Sequence, residues 1–310
     1  MRAKVKGSQE RGPGNGAYDA AGGDGRCGMR RVLVATAVVL GILATGPVSA
    51  QRADDEGVKL RRASFTRYIV SAAKLEQVAG QQYLQMRNQA AGKGSLAPAS
   101  DPQNLRVQRI AQDLLQHANK WNPRAKDWQW EVSLVKSRTV NALCMPGGKI
   151  IVFSGLLDLL QLTDDEAAHV IGHEIAHALR EHARARAAKN TLTNAGAIVM
   201  AVLVGGGAGD LVRQGGGVLA LKFSRDDERE ADLLGLELAA RAGYNPEASI
   251  TLWEKMRQVA KSMGPSWLST HPSSEERILR LKAGLPLVVR LYERARAAKA
   301  SVPPPPSAPN

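Results

Sequence analysis

The sequence predicts an α+β fold, mainly helical with a small antiparallel sheet, and three observations carry that reading. Aromatic residues make up 4% of the 310-residue chain while Ala and Leu abound, a balance that favours helices. Only two stretches alternate as strands: WQWEVSLVK over 128–136, and KIIVFS over 149–154 after the Pro146-Gly147-Gly148 turn. Paired as a hairpin, they would make the sheet. The third observation is a strongly signalled helix over 163–190. Thr163 with Glu166 reads as a capping box, Asp164 and Asp165 suit its positive end, and Arg184, Arg186 and Lys189 suit the other.

Taken in order, residues 1–28 are basic, glycine-rich and poor in apolar residues, and they precede Met29-Arg30-Arg31. An apolar stretch over 32–46 and the small-residue run Val48-Ser49-Ala50 follow. Residues 1–28 therefore read as an over-extended start, 29–50 as a secretory signal peptide and 51–62 as a linker. Residues 63–300 read as the folded domain, and the proline-rich 301–310 as an extended tail. Export to the periplasm is the expected localisation. Two cysteines, Cys27 and Cys144, leave no disulfide framework once the leader is removed. The net charge is +13, and the net +4 of residues 1–50 leaves +9 on the rest. Such a basic exported chain is drawn to anionic membrane surfaces, so peripheral membrane contact is expected. Nucleic acid is set aside, since there are no interleaved aromatics and no zinc-finger spacing.

Residues 63–120 read as two helices separated by AGKGSLAPASDP. The apolar, glycine-rich run over 195–209 is too short for an ordinary membrane span and reads as a buried or interfacial helix, with Gly215-Gly216-Gly217 as a connector or lid hinge. Gly243-Tyr244-Asn245-Pro246 ends one helix and opens the next. Ser273 with Glu276 caps a last helix just after His271-Pro272.

The chemistry is concentrated in His173, Glu174 and His177, an H-E-x-x-H. On a helix, residues four apart share a face, so both histidines reach one ion. His182 lies about 140° further round a continuous helix and is expected to be a solvated residue. Glu228 and Asp232, four apart in SRDDEREADLLG, supply a better third ligand. A His, His, Glu set with an open position is the catalytic zinc pattern, one Zn²⁺ per chain. Asp232, one turn beyond Glu228, is placed to accept the free N–H of a ligating histidine, and Glu174 to act as general base.

The strings NALCMPGGKIIVFSGLL, HVIGHEIAHALREH, SRDDEREADLLGLELAARAGYNP and STHPSSEERI, in that order over roughly 63–285, resemble the zinc metallopeptidases that include the CAAX prenyl proteases and the HtpX-like proteases. The chain is most similar to their soluble secreted bacterial branch, which includes the periplasmic β-barrel assembly-enhancing protease, here without a helical-repeat domain. The resemblance implies a gluzincin-type zincin domain and an endopeptidase acting on unfolded or misassembled envelope proteins. It also implies that an edge strand within 141–153 receives the substrate backbone, with Asn141, Gly148, Ile150 and Val152 as substrate-binding residues. His271 is implied to lie near the zinc, either stabilising an oxyanion or, as expected here, filling the fourth coordination position at rest. The competing function is a chaperone-like factor that holds clients in the same cleft and rarely cuts them. The intact Glu174 weighs against it.

Overall fold

The computed structural model describes residues 56–191, 223–263, 271 and 275–301. The expected leader over 1–50, the apolar run over 195–209, the glycines at 215–217, the Ser273 cap and residues 302–310 of the proline-rich tail lie outside the described residues.

After a short 3-10 turn at Phe65–Ile69, α1 spans Ala72–Gly92 and buries Leu75, Val78, Ala79, Gln82, Tyr83 and Ala90, the stripe expected of one helical face. Its Tyr83 hydroxyl meets Ser133 Oγ at 2.8 Å and ties the helix to the sheet. Helix α2, Pro102–Leu115, starts where Asp101 accepts from the N–H groups of Gln103 and Asn104 and where proline needs no donor. Val107, Ile110, Ala111 and Leu114 are wholly buried on its inner face.

The sheet has three strands, β1 (Glu131–Val135), β2 (Ala142–Met145) and β3 (Lys149–Phe153), in the order β1-β3-β2. It is mixed and not antiparallel throughout: β3 runs parallel to β1 and antiparallel to β2. The expected hairpin between 128–136 and 149–154 is thereby corrected. The Pro146-Gly147-Gly148 turn reverses the chain between β2 and β3, so β3 leaves the turn running in the direction of β1. Gly147 and Gly148 take φ of 83° and 81°, and a Cβ on Gly148 would lie 2.7 Å from the Trp130 ring.

Helix α3 (Ser154–Leu159) leads into α4 (Asp164–Leu179), whose capping box joins Thr163 and Glu166 in both directions. Every residue of α4 from Glu166 onward is buried, so this helix is the axis of the core. The helix expected to run unbroken to 190 instead stops. Arg180 caps it, Glu181 takes φ of 53°, and α5 (His182–Thr191) begins on a new axis. Helix α6, Arg225–Arg241, opens with a Ser224/Asp227 capping box and crosses α4 at glycines. A Cβ on Gly235 would sit 2.8 Å from the His173 backbone nitrogen, and one on Gly172 would sit 3.1 Å from the Gly235 carbonyl oxygen. That close approach brings side chains of α6 against those of α4. Helices α7 (Ala248–Met263) and α8 (Glu275–Ala300) complete the wall. Among the described residues no helix is long and apolar enough to cross a membrane.

Candidate metal centre

His173 and His177 stand one turn apart on α4, Glu228 comes from the first turn of α6, and His271 comes from the segment before α8. All four are buried, and one ligand atom from each lies within 4.8 Å of the others. His173 Nε2 is 3.1 Å from His177 Nε2, 3.2 Å from His271 Nδ1 and 3.5 Å from a Glu228 oxygen. The other Glu228 oxygen lies 2.9 Å from His271 Nδ1 and 3.4 Å from His177 Nε2. Donors about 2.0–2.2 Å from a tetrahedral ion stand about 3.3–3.5 Å apart, so these spacings and three imidazoles with one carboxylate fit zinc. No thiolate takes part. Burial, with Glu174 adding to it, raises the Cys144 thiol well above its usual range and keeps it neutral.

Around the cluster lies a set of buried partners. Asp232 Oδ1 is 3.2 Å from His173 Nδ1, the ring nitrogen turned away from the other donors. Arg277, 2% exposed, donates from Nη1 to Glu228 at 2.9 Å and from Nε and Nη2 to Asp232 at 2.9 and 2.5 Å. Its guanidinium also sits 3.5 Å over the Trp253 ring. Glu174 is buried with Oε1 3.5 Å from His271 Nε2, and Phe223 stacks on the His177 ring with centroids 3.9 Å apart.

Burial disfavours a charged imidazole at His173 and Arg277 adds to that, yet Asp232 and Glu228 outweigh both and raise it to about 9. Burial pushes His177 well below the usual imidazole range. Burial also opposes charge on Glu228, but hydrogen bonds from His173, His177 and His271 hold its carboxyl far below the ordinary carboxylate value. The carboxylates thus favour the charged imidazolium at His173, and a metal ion bound there would compete with that proton.

The sequence-derived residues His173, Glu174, His177, Glu228, Asp232 and His271 therefore come together. Others do not fall where they were expected. His182 is 4% exposed, and its Nδ1 is 3.0 Å from His177 Nδ1. The angle that sent it to solvent assumed a continuous helix, and the break at Glu181 removes that assumption. Ile150 and Val152 lie in the central strand with no exposed surface, their backbone groups paired with β1 and β2, so they offer no open edge. Gly148 belongs to the turn, where its carbonyl accepts from Glu131. Asn141 uses its carbonyl on Phe153 and its side chain on Ala142. Among the described residues, β1 is met on its outer side by residues 95–97, and the edge with no strand beside it is β2. With Asn141 and Phe153 bonded, the register turns the N–H and C=O of Cys144 away from β3. Leu75, Trp128, Cys144, Pro146 and Phe223 line the apolar part of a pocket beside His177, and Glu76, Glu181 and Arg184 line the rest. Sequence reasoning missed Arg277, which stands in the quoted SSEERI but carries no spacing that marks an arginine as buried.

The model of peptidase family M48 matches residues 101–284, a span that holds all four donors, Glu174, Asp232 and Arg277. The chain belongs to peptidase family M48. Among M48 relatives, metalloprotease LoiP of Escherichia coli (strain K12) is 30% identical over 260 residues, covering 82% of this chain and 96% of LoiP. The mitochondrial metalloendopeptidase OMA1 of Arabidopsis thaliana is 39% identical over 176 residues, 56% of this chain and 36% of that protein. The β-barrel assembly-enhancing protease of Escherichia coli O157:H7 is 30% identical over 234 residues, 67% of this chain and 45% of the relative. The chain spans 36% to 61% of the length of the plant and yeast OMA1 proteins. As an M48 member it carries a metal-dependent peptidase domain.

Proposed function

We propose that this chain is a zinc endopeptidase of the cell envelope that hydrolyses unfolded or misassembled proteins. The observation that carries the chemistry is the buried convergence of His173, His177, Glu228 and His271 with Glu174 beside it. In this reading His173, His177 and Glu228 hold one zinc ion, with His271 as a fourth donor at rest. Bound zinc would polarise a carbonyl and lower the pKa of water toward about 7. Glu174 takes the proton of the attacking water as the new C–O bond forms, then delivers it to the amine nitrogen as the C–N bond breaks. Asp232 accepts from His173 Nδ1–H and keeps Nε2 free as a donor, while Arg277 balances the charge of both carboxylates.

The substrate reading rests on the open edge at Cys144. An extended chain that adds there would bond through its backbone, with the apolar part of the neighbouring pocket facing one of its side chains, a mode that favours unfolded proteins over a strict sequence. The envelope location rests on the signal-like stretch over 29–50. At rest His271 turns Nδ1 into the cluster and Nε2 toward Glu174; released from the cluster, it would carry its Nε2–H to the developing oxyanion, so resting latch and active donor are two positions of one residue.

The test is cleavage of casein with and without a chelator, for wild type, Glu228→Ala and His271→Ala. We expect chelation to abolish cleavage and zinc to restore it, Glu228→Ala to lose zinc and activity, and His271→Ala to raise basal or self-cleavage. Full cleavage by Glu228→Ala would remove the proposed ligand set, and loss of cleavage with zinc retained in His271→Ala would leave only the oxyanion role.

A further inference from the structure

We propose that His182 and Glu230 form a hydrogen-bond relay that fixes the tautomer and orientation of His177, which makes them positioning residues of the metal centre; the proposal rests on the ligand reading above. Because the chain turns at Glu181, His182 comes back beside His177, ring centroids 5.0 Å apart and planes at 74°. The two Nδ1 atoms are 3.0 Å apart, a distance at which one must donate and the other accept. His177 points Nε2 at the other donors of the cluster. A ligating nitrogen offers a lone pair, so the His177 proton sits on Nδ1, and Nδ1 of His182 accepts it.

That leaves His182 with its proton on Nε2, and that atom faces Glu230 Oε2 at 3.4 Å. Asp227 stands farther off, its Oδ1 4.0 Å from the same nitrogen. Glu230 is itself fixed: Arg180 Nε donates to Oε2 at 2.8 Å and Arg61 Nε to Oε1 at 3.1 Å. With both oxygens held by arginines, Glu230 is the acceptor at the end of the chain of bonds. Every link has a single donor assignment, running from His177 through His182 to Glu230. Helix α6 thus orients both histidines of α4, Asp232 acting on His173 directly and Glu230 on His177 through His182.

Zinc affinity measured by competition with a chromophoric chelator tests the relay without reference to activity. His182→Leu, which removes the acceptor, should bind zinc about 10- to 100-fold more weakly. His182→Asn, whose side-chain oxygen takes the place of Nδ1, should recover most of that loss. Wild-type affinity in His182→Leu, or an Asn variant as weak as the Leu variant, would overturn the relay. Wild-type zinc affinity in His177→Ala would instead overturn the ligand reading beneath it. Nitrogen NMR of the imidazoles in the unmodified zinc-loaded chain reads the tautomer directly and needs no variant to fold. The Nε2–H form of His182 supports the relay, and the Nδ1–H form contradicts it.

Discussion

Arg277 holds Glu228 with one arm and Asp232 with the other while stacked on Trp253, so its loss would leave two buried carboxylates with only the site histidines and the more distant Arg280 as partners. Removing one partner of a buried ion pair costs about 3–5 kcal/mol. Arg277→Ala should therefore lower the urea midpoint of the metal-free protein, and Arg277→Lys should recover only part, because a point charge cannot reproduce the planar fork. A metal-free Ala variant as stable as wild type would show that the histidines and Arg280 suffice to hold the carboxylates. This arginine also marks the limit of reading residues by spacing. His173 with His177 and Glu228 with Asp232 were legible because a helix puts residues four apart on one face, and Glu174 because it follows His173 directly in H-E-x-x-H. Arg277 and His182 reach the centre through tertiary packing and a chain reversal, and neither leaves a periodic trace in the sequence.

At the scale of elements, the crossing of α4 and α6 sets the distance between the histidines and the carboxylates. A methyl group at Gly235 would press on the His173 backbone nitrogen at 2.8 Å, so Gly235→Ala must push the helices apart. Overpacking of this kind costs about 1–3 kcal/mol, and zinc affinity should fall with stability. Wild-type zinc affinity in a folded Gly235→Ala variant would separate the crossing from the site. Further up α4, His169 is buried with Nε2 2.8 Å from the Asn245 carbonyl oxygen. Burial lowers it from 6.5 to about 4, against the pull of that carbonyl. Between those values the unfolded chain binds a proton that the folded chain refuses, so stability falls as pH drops, by about 3 kcal/mol in all. Urea unfolding of metal-free protein at pH 7 and pH 5 should show a steeper loss for wild type than for His169→Gln. The capped helices were legible at this scale from Thr163, Glu166 and Asp101. The sheet was misread because β2, four residues long and without clear alternation, was not seen, and a strand missed between β1 and β3 in the chain reverses the direction expected of β3.

For the molecule as a whole, a buried centre that joins α4, α6 and the segment before α8 makes metal binding part of folding. An ion that binds only the folded state, at 100 times its dissociation constant, adds about 2.7 kcal/mol. For a domain of this size that is a rise of about 5–11 °C in the melting temperature. Thermal melts with zinc and with chelator should differ by that order, and coincident melts would mean the cluster does not bind the ion. The family and the mainly helical architecture were legible from four ordered motifs because each carries a fold element together with a site residue. The central claim is that this one cluster, with Glu174 as its base, performs hydrolysis. Its most direct test is zinc content and casein cleavage measured together on Glu174→Gln. One zinc per chain, an unchanged fold and cleavage reduced at least 100-fold are expected, in keeping with the contribution of a general base. Cleavage at the wild-type rate by the zinc-loaded variant would contradict the claim.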